Sequence, residues 1–301
     1  MKKILISGAT GLVGKKLARK LFERGYQVEI LVRSKPKKKS DFKSYVWDYE
    51  KGFLEEGALD NTYIFIHLAG APISKRWTES YKKEVYDSRV NSAQFIYEEM
   101  QKKGIHPEAV ISSSAVGIYG QLTSQQIFSE NGPPAQDFLG KVCKDWEQKA
   151  HQFEKLGSRV VCIRTSTVLS ETGGALEVLK KPIEINFGAV LGSGDQYFPW
   201  IHIDDLVNIY FKAVEDVSLS GAYNAVAPDF INNRELTKKI ASHLDKKIWL
   251  PNIPKFIIKA VLGEMSVLAL EGSRISSKKI ENAGFKFQYN NLDKALSDVI
   301  N

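Results

Sequence analysis

Short apolar runs alternate along the chain with longer stretches in which apolar residues recur every three or four positions. The short runs are rich in Ile and Val and cover residues 3–7, 27–32, 63–68, 109–113 and 160–165. Runs of this length and composition are typical of strands buried on both faces, as in a parallel sheet. We therefore predict five such strands, with a shorter strand at residues 45–47.

The stretches between these runs have the periodicity of amphipathic helices. The first, from about residue 11 to 24, has Leu12, Leu17 and Leu21 on one side and is followed by Gly25, a typical helix end. Residues 79–103 and 138–156 show the same periodicity. Strands joined by such helices form right-handed crossovers, so the pattern predicts an α/β fold of the Rossmann type with a doubly wound parallel sheet.

The regular alternation fades after about Ser166, where loops containing glycine and proline separate shorter elements. We interpret residues 1–166 as a Rossmann domain and residues 167–301 as a smaller C-terminal α/β lobe. The pattern leaves open whether the chain of this lobe crosses back to the sheet.

Composition and charge narrow the classes of partner. With 301 residues and 43% hydrophobic composition, the chain can bury a large core. Much of the net charge of +7 lies in a lysine-rich run at residues 35–39 without interleaved aromatic residues, which favours a local anion over nucleic acid. No apolar run reaches the roughly 18–20 residues that span a bilayer. Because Cys143 and Cys162 lack the spacing of a metal or redox site, we expect no metal and a cytoplasmic location.

Three glycines follow the first strand at intervals of three residues, where the strand turns into the first helix. Gly8 permits a tight turn, Gly11 lets backbone N–H groups approach a pyrophosphate, and Gly14 lets the helix pack closely against the strand. The positive end of the helix dipole favours the same anion. An ordinary glycine turn is the alternative, but the loop between this strand and this helix indicates dinucleotide binding.

The residue that ends the second strand indicates which dinucleotide is bound. An NAD site usually has Asp or Glu there to accept hydrogen bonds from the ribose, whereas this chain has Arg33. A guanidinium suits the 2′-phosphate of NADP, with a charge-assisted hydrogen bond of about 1.5–3 kcal/mol. We therefore predict NADP(H) as the cofactor. Lys35, Lys37 and Lys38 either add to the positive electrostatic field around Arg33 or form a solvated loop. Glu29 lies inside the second strand rather than at its end.

The glycine spacing, with Ala-Thr between the first two glycines, resembles that of the extended short-chain dehydrogenase/reductase superfamily, the NAD(P)-dependent epimerases and dehydratases. A closer resemblance, to the atypical branch called "epimerase family protein", covers nearly the whole chain. It rests on HLAGAP at 67–72, RWT at 76–78, SRV at 88–90, DFL at 137–139, WE at 146–147, GSGDQ at 192–196, WIHIDDL at 200–206 and NAVAP at 224–228. The resemblance also implies a C-terminal segment at about residues 249–296.

The cofactor site that the resemblance implies consists of residues that follow strands or begin helices. Besides the three glycines these are Thr10, Leu12, Val13, Leu68, Ala69, Gly70, Ser112 and Val168. Arg89, on a helix after the fourth strand, is either a phosphate or substrate contact or an ion-pair partner on the helix surface. Asp48, after the short third strand, either contacts the adenine amino group or caps a turn.

Hydride transfer to or from a carbinol needs a neighbouring proton donor or acceptor, and the superfamily ordinarily uses Tyr-x-x-x-Lys on a helix. The corresponding helix here begins DFLGKVCK at residue 137 and contains no tyrosine, so the pair cannot be carried over. Ser113 and Ser114, after the fifth strand, either orient a substrate oxygen or simply end the strand. Tyr119 is the replacement candidate for proton transfer, with packing around a bonded hydroxyl as its alternative.

Loops of the second lobe are the candidates for recognising a substrate. Gln196 and Trp200 provide a polar and an aromatic group suited to a sugar or a conjugated ring. We interpret His202 as a hydrogen-bonded structural residue rather than a base. Asp204 and Asp205 begin a helix, so we expect one of them to cap it and do not interpret them as a catalytic pair.

Together these features predict an NADP(H)-binding oxidoreductase or epimerase-like enzyme that acts by hydride transfer on a carbonyl or sugar-like small molecule. In this interpretation residues 1–166 bind the cofactor and residues 167–301 form the substrate lobe. The alternative is a regulatory protein that senses NADPH without turnover, which the missing tyrosine favours. The expected partner is a small-molecule substrate, with neither nucleic acid nor a membrane, and a homodimer is left open.

Overall fold

The computed structural model describes residues 1–35, 40–120 and 122–300, so Lys37 and Lys38 lie outside the described residues. Its strands are β1 (Lys3–Ser7), β2 (Gln27–Val32), β3 (Lys43–Asp48), β4 (Phe53–Leu54), β5 (Thr62–His67), β6 (Ala109–Ala115), β7 (Ile127–Phe128), β8 (Arg159–Thr165), β9 (Thr167–Leu169), β10 (Trp200–His202), β11 (Gly221–Ala225) and β12 (Arg274–Ile275). Its helices are α1 (Leu12–Glu23), α2 (Glu79–Asp87), α3 (Val90–Lys103), α4 (Phe138–His151), α5 (Gly174–Glu184), α6 (Ile203–Glu215), α7 (Asn233–His243), α8 (Lys255–Leu262), α9 (Val267–Leu270), α10 (Lys278–Asn282) and α11 (Leu292–Val299).

Among the described residues, eight strands form one sheet in the order β11-β8-β6-β5-β1-β2-β3-β4. Neighbouring strands are parallel except for the short pair β3 and β4. The strand order reverses at β1, which has β2 on one side and β5 on the other. A dinucleotide crevice lies outside the carboxyl ends of the strands at such a reversal. The predicted Rossmann-type α/β fold is confirmed.

Alternate residues of the strands fill cores on opposite faces of the sheet. Ile4 and Ile6 of β1 belong to the core that contains α1 and α6. Leu5, between them, belongs to the core on the other face, to which α3 contributes Ile96 and Met100. Because both faces are covered, the strands are apolar at nearly every position, which explains why the sequence shows runs rather than alternation.

The predicted helix over residues 79–103 is two helices, α2 and α3, separated at Ser88 and Arg89. The side chain of Ser88 donates to the carbonyl of Val85 and accepts from the backbone N–H of Ala71, which ties the break to the loop after β5. Apolar residues continue on both sides of the break, so the periodicity did not indicate it. Helix α3 ends at Gly104, which has a left-handed φ of 66°.

Residues after 166 build a second core and also return to the main sheet. Strand β11 pairs with β8 at the edge of that sheet, while β9 and β10 form a separate parallel pair. The second core joins β10, α5 and α7 to α11, with Trp200 and Leu296 completely buried. None of the helices within the described ranges has the length and apolar character that crossing a membrane requires.

Candidate cofactor crevice

The loop between β1 and α1 requires glycine at two of its three predicted positions. Gly8 has a φ of 75°, and a Cβ added there would lie 2.6 Å from the backbone carbon of Leu68. A Cβ on Gly14 would lie 2.3 Å from the carbonyl oxygen of Gly8. Gly11 is exposed, and its added Cβ would lie 3.3 Å from the same oxygen. The loop is therefore tightly packed at Gly8 and Gly14 and open to solvent at Gly11. A loop that binds a phosphate group requires this arrangement.

Within the described ranges, no side chain caps the backbone donors at the amino end of α1. Gly11 is the N-cap residue and makes no side-chain hydrogen bond, and the first turn contains no acidic residue. Helix dipole and N–H groups are thus available to an anion. Thr10 is exposed at this end, and Leu12 and Val13 are half-buried. These three cofactor positions, which the family resemblance implies, therefore lie together at the amino end of α1.

Leu68, Ala69 and Gly70 continue from β5 directly beside this loop. The backbone N–H of Leu68 donates to the carbonyl of Ser7 at 3.0 Å, which holds the ends of β1 and β5 together. Val168 lies near Leu12 at the start of α1, because a Cβ on Gly174 would be 3.4 Å from the carbonyl oxygen of Val168 and 3.6 Å from Cδ2 of Leu12. These predicted cofactor positions therefore converge on one edge of the sheet.

Arg33 follows β2 at the same edge of the sheet and is exposed. Within the ranges that the structure describes, it forms no ion pair or hydrogen bond. Lys35, by contrast, pairs with Glu55 at 2.8 Å, so its charge is already partly neutralised. Glu29, inside β2, is buried, and its Oε2 forms an ion pair with Nζ of Lys3 at 2.7 Å. Among the described residues, Arg33 is therefore an unpaired cation at the end of β2.

Asp48 shows the turn interaction, one of its two predicted roles. Its Oδ1 accepts from the backbone N–H groups of Glu50 and Lys51 at 3.1 and 3.2 Å, and its Oδ2 pairs with the Lys51 ammonium at 2.8 Å. These interactions lower the pKa of Asp48, with the Lys51 side-chain hydrogen bond as the largest cause. Both carboxylate oxygens of Asp48 thus bond to residues of the turn that directly follows it.

His67, the last residue of β5, connects the glycine loop to α3 through a buried network. Ser7 Oγ lies 2.7 Å from Nδ1 of His67, and Ser92 Oγ lies 3.2 Å from Nε2. Because the Ser92 hydroxyl donates to the carbonyl of Ser88, it accepts from His67, which assigns the proton to Nε2 and makes Nδ1 the acceptor from Ser7. The sequence contains His67 in the HLAGAP motif but did not indicate a role for its side chain.

Acid should destabilise the protein through His67. Burial lowers the pKa of this imidazole to about 4 from its ordinary 6.5. Between these values the unfolded chain binds a proton that the folded chain does not, so the free energy of unfolding falls as the pH falls, by roughly 3 kcal/mol in all. Urea unfolding of the wild type and of His67→Gln across this pH window measures the effect.

The variant should lose that part of the pH dependence, whereas His151→Gln, which changes a partly exposed ring, should retain it. Parallel pH profiles for the wild type and His67→Gln would contradict the assignment.

Of the two roles that the sequence left open for Arg89, the surface ion pair is not seen within the described part of the chain. Its guanidinium donates to the carbonyls of Val85 at 3.0 Å and Ala71 at 2.9 Å. It lies 5.4 Å from the ring centre of Trp146, and a Cβ added to Gly70 would be 2.9 Å from its Cζ. Burial lowers the pKa of this guanidinium. Arg89 is therefore a sheltered cation directly behind the loop that follows β5.

The serines at the end of β6 have partners within the protein. Ser112 and Ser114 are 1% and 2% exposed, and their hydroxyls donate to the Ser113 carbonyl at 3.0 Å and to Glu147 at 2.6 Å. Both hydroxyls thus have partners inside the protein, and the roles expected of Ser112 towards the cofactor and of Ser114 towards a substrate stay predictions. Ser113 is half-buried, with its hydroxyl bonded to that of Tyr210.

Tyr119 is packed inside the protein with a bonded hydroxyl, the alternative that the sequence left open beside proton transfer. Its side chain is 4% exposed. The phenol donates to Oδ1 of Asn224 at 2.7 Å and accepts from Nη1 of Arg164 at 2.9 Å. Burial raises the pKa of this phenol to about 12, so it holds its proton firmly at neutral pH.

Arg164 organises the buried network beneath this edge of the sheet. It forms a two-pronged pair with Glu147, with both N–O distances at 2.8 Å. The Glu147 carboxylate also accepts from Ser114, and Arg164 donates to Tyr119, so α4, β6 and β8 are joined by one set of polar contacts. A charged residue inside the apolar run 160–165 was the sequence signal for this network.

Neither predicted substrate residue is open to a ligand. Trp200 has no exposed surface and belongs to the second core, because β10 turns its indole inward. Gln196 is 4% exposed, and its amide nitrogen donates to the carbonyls of Leu191 at 3.0 Å and Ala269 at 2.8 Å. Gln196 therefore connects its loop to the C-terminal segment, and the roles expected of Gln196 and Trp200 towards a substrate stay predictions.

His202 has the structural role that the sequence indicated, and it also caps α6. Its Nδ1 accepts from the backbone N–H of Asp204, so Nε2 donates to Asp298 at 3.1 Å. The ring stacks on Tyr289, with 3.6 Å between ring centres. The expected aspartate cap is therefore wrong, since histidine occupies that position.

Asp205 is completely buried and anchors the C-terminal segment. It accepts from the backbone N–H groups of Gln288 at 2.8 Å and Tyr289 at 2.9 Å. Burial nevertheless raises the pKa of this carboxyl. Its role is to hold a neighbouring chain segment, so the rejection of a catalytic aspartate pair agrees with its contacts.

Comparison with known families explains why these elements occur together. A family model described as "NAD dependent epimerase/dehydratase family" matches residues 4–226, nearly three quarters of the chain. The chain belongs to this family. A second model, described as a domain of unknown function, DUF1731, matches residues 253–299.

Similar members of the epimerase/dehydratase family are known from bacteria and plants. Epimerase family protein YfhF of Bacillus subtilis is 34% identical over 297 residues, which cover 99% of this chain and 97% of that protein. The chloroplastic SDR39U1 homolog of Arabidopsis thaliana is 34% identical over 304 residues, with 99% and 86% covered. The resemblance to the "epimerase family protein" branch is thereby confirmed.

Solved structures of the epimerase/dehydratase family include one with a bound cofactor. Human epimerase family protein SDR39U1 (isoform 2), crystallised with NADPH, has a TM-score of 0.88 and 28% identity, with 99% of each chain covered. A nucleoside-diphosphate sugar epimerase from Corynebacterium glutamicum has a TM-score of 0.81 and 31% identity, and covers 99% of this chain and 58% of its own.

This epimerase/dehydratase family member departs from the superfamily pattern on α4. Its residues that face the segment after β6 are Leu139 and Cys143, one turn apart, since a Cβ on Gly117 would meet Leu139 Cβ at 3.3 Å and Cys143 Sγ at 3.8 Å. Burial raises the pKa of the Cys143 thiol to about 12. The two side chains of α4 that face this segment are thus an alkyl group and a neutral thiol, and neither carries a charge at neutral pH.

Proposed function

We propose that this protein binds NADP(H) and catalyses hydride transfer on a carbonyl or sugar-like small molecule. The observation that supports NADP(H) over NAD(H) is Arg33, an exposed guanidinium that forms no ion pair within the described part of the chain and follows β2. A carboxylate at this position would favour NAD(H), and Glu29, the nearby candidate, is buried with Lys3. The human relative crystallised with NADPH supports the same choice.

The residues of the crevice fit such a cofactor. The uncapped N–H groups of α1 would bind the pyrophosphate over Gly11, and Arg33 would bind the 2′-phosphate. Leu68, Ala69 and Gly70 would bring backbone close to the ribose. The bound cofactor would supply or accept a hydride at C4 of its nicotinamide, while Ser113 is the hydroxyl at the end of β6 that retains some exposure.

Fluorescence titration with NADPH and NADH tests the cofactor proposal. We expect NADPH to bind about tenfold to a hundredfold more tightly, because the 2′-phosphate forms a charge-assisted hydrogen bond with Arg33. Arg33→Ala should remove this preference and leave NADH binding nearly unchanged. Lys35→Ala is the matched control, since the charge of Lys35 is paired with Glu55. Equal binding of the two nucleotides by the wild type would overturn the choice of NADP(H).

A second candidate function is a regulatory protein that senses NADPH without turnover. The specific observation that favours it is the engagement of Ser114 and Tyr119 within the Arg164 network, together with Leu139 and Cys143 on α4. A screen of aldehydes, ketones and nucleotide-linked sugars for loss of NADPH absorbance separates the two proposals. Turnover supports the enzyme, whereas tight binding without any turnover supports the sensor.

The partner of this protein and its cellular compartment are also proposals. We propose a small-molecule ligand as the partner, and the cytoplasm as the compartment, in keeping with Cys143 and Cys162, which are both buried as free thiols.

A further inference from the structure

Arg274, on β12, is a half-buried cation without a hydrogen-bond acceptor. Within the described ranges its guanidinium forms neither a hydrogen bond nor an ion pair, and its Nε is buried without a partner. Other arginines of similar burial differ, since Arg159 and Arg234 donate to backbone carbonyls and Arg164 pairs with Glu147. Removing N–H groups from water without a new hydrogen bond is costly, so this cation indicates a missing partner.

Two aromatic rings lie beside the Arg274 guanidinium. Its Cζ is 5.3 Å from the ring centre of Tyr197 and 5.9 Å from that of Phe230. Such rings attract a cation but provide no acceptor oxygen for its N–H groups. Phe230 is 41% exposed, and Ile127, the residue of β7 that pairs with Arg274, is 49% exposed. The cation is therefore held beside a surface that a ligand can reach.

The surrounding segments place Arg274 at the edge of the sheet where the cofactor crevice opens. Phe230 follows β11, and β7, the partner of β12, follows β6. Strands β1, β5, β6, β8 and β11 are parallel, so the loops after them leave the sheet at one edge. Phe128 of β7 also packs on Tyr119, just after the end of β6, with ring centres 5.5 Å apart.

Strand order separates Arg274 from the adenine side of the crevice. Arg33 follows β2, on one side of β1, whereas β6 and β11 lie on the other side, beyond β5. The two mononucleotide halves of a bound cofactor occupy opposite sides of this reversal, so the nicotinamide lies on the side of β6. A molecule that exchanges a hydride must lie beside the nicotinamide. Because Phe230 follows β11, the last strand on that side, Arg274 is on the substrate side of the crevice.

We infer that Arg274 binds an anionic group of the substrate, a carboxylate or a phosphate. This inference rests on the proposed function and narrows it, because the carbonyl or sugar-like substrate then carries a negative charge. A guanidinium donates two parallel hydrogen bonds to the oxygens of either group. The C-terminal segment that matches the domain of unknown function thereby has a task, since it supplies the residue that recognises the substrate's charge.

Chemical labelling of the wild-type protein saturated with NADPH tests this inference. Phenylglyoxal modifies arginine side chains, and peptide mass spectrometry measures the rate at each position. The probes are inorganic phosphate, benzoate and benzamide, which has the shape of benzoate without its charge. At about ten times its Kd a bound anion should slow the labelling of Arg274 about tenfold, whereas benzamide should leave it unchanged. Arg24, an exposed arginine 4.9 Å from the ring centre of Phe211, is the matched control.

The two anions distinguish the sources of the negative charge. Stronger protection by phosphate indicates a phosphorylated substrate, and stronger protection by benzoate indicates a carboxylate. If Arg274 only holds Tyr197 and Phe230 together, neither anion slows its labelling relative to potassium chloride of the same ionic strength, and the inference is overturned. Equal protection by benzamide overturns it as well, because the charge is then not recognised.

Titration of Arg274 variants with the more protective anion provides a second test. Arg274→Met should raise the Kd for this anion at least about tenfold, the effect of losing one charge-assisted hydrogen bond. Arg274→Lys should raise it less, because lysine keeps the charge without the two-pronged geometry. An unchanged Kd in Arg274→Met would contradict the inference.

Binding of NADPH separates this inference from the proposed function. Both variants should bind NADPH within about twofold of the wild type, since Arg274 lies beyond the cofactor. A wild type that fails to bind NADPH would refute the proposed function itself. Tight NADPH binding without protection of Arg274 by either anion would refute only the assignment of Arg274.

Discussion

Replacing Arg164 by Met is expected to lower the free energy of unfolding by about 3–5 kcal/mol. The side chains of Arg164 and Glu147 are 8% and 10% exposed and are joined by two hydrogen bonds of 2.8 Å. Removal of the guanidinium leaves the Glu147 carboxylate buried, with the Ser114 hydroxyl as its one remaining hydrogen-bond partner among the residues that the structure describes. It also removes the donor to the phenol of Tyr119. Urea unfolding followed by fluorescence measures the loss.

The double variant Arg164→Met, Glu147→Leu should recover much of this loss, because it removes the unpaired charge together with its partner. Lys181→Met is the surface control. Lys181 pairs with Glu177 at 2.7 Å on an exposed face of α5, where such a pair contributes only about 0.3–0.5 kcal/mol. Arg164→Met as mild as Lys181→Met would show that the buried network does not stabilise this edge of the sheet.

Gly14→Ala should have the largest effect on the cofactor crevice. The added Cβ would lie 2.3 Å from the carbonyl oxygen of Gly8 and 2.7 Å from Cα of Ala9, and both atoms are backbone. Either α1 or the phosphate loop must move, at a cost of about 1–3 kcal/mol in stability. Displaced N–H groups then lose their alignment with the pyrophosphate, so the Kd for NADPH should rise by about a hundredfold or more, as when two charge-assisted hydrogen bonds are lost.

Gly11→Ala is the informative comparison within the same loop. Its Cβ would be 3.3 Å from the Gly8 oxygen, and Gly11 is exposed, so thermal stability should remain close to that of the wild type. NADPH binding should still weaken, because the methyl group stands where the anion approaches. Destabilisation by Gly11→Ala equal to that of Gly14→Ala would contradict the packing described for this loop.

The sequence was sufficient for features that depend on neighbouring residues. The strands that begin at Lys3 and Gln27 end where the apolar runs predicted, and the glycine loop lies between β1 and α1. Arg33 could be placed at the end of β2 because the apolar run that predicts this strand stops at Val32, the residue before it. These features depend on local periodicity and turn chemistry, which the sequence displays directly.

The sequence was not sufficient where a side chain meets a distant part of the chain. Tyr119 is close to the serines of β6 along the chain, but the short 3-10 segment Val116–Tyr119 directs its hydroxyl to Asn224, 105 residues away. Trp200 shares its segment with loop residues, but β10 pairs with β9 and buries the indole. Periodicity does not encode such pairings, so exposure and hydrogen bonding at these positions required the structure.

The second core has a consequence for how the chain is made. It packs Leu176 and Leu236 against Leu292, Leu296 and Val299. A ribosome delivers these partners in order, so the earlier residues leave the exit tunnel long before the later ones. The first Rossmann strands can pair during translation, whereas this core cannot close until α11 has emerged. Newly made chains therefore pass through a stage with an exposed apolar surface, at which chaperone binding would protect them from aggregation.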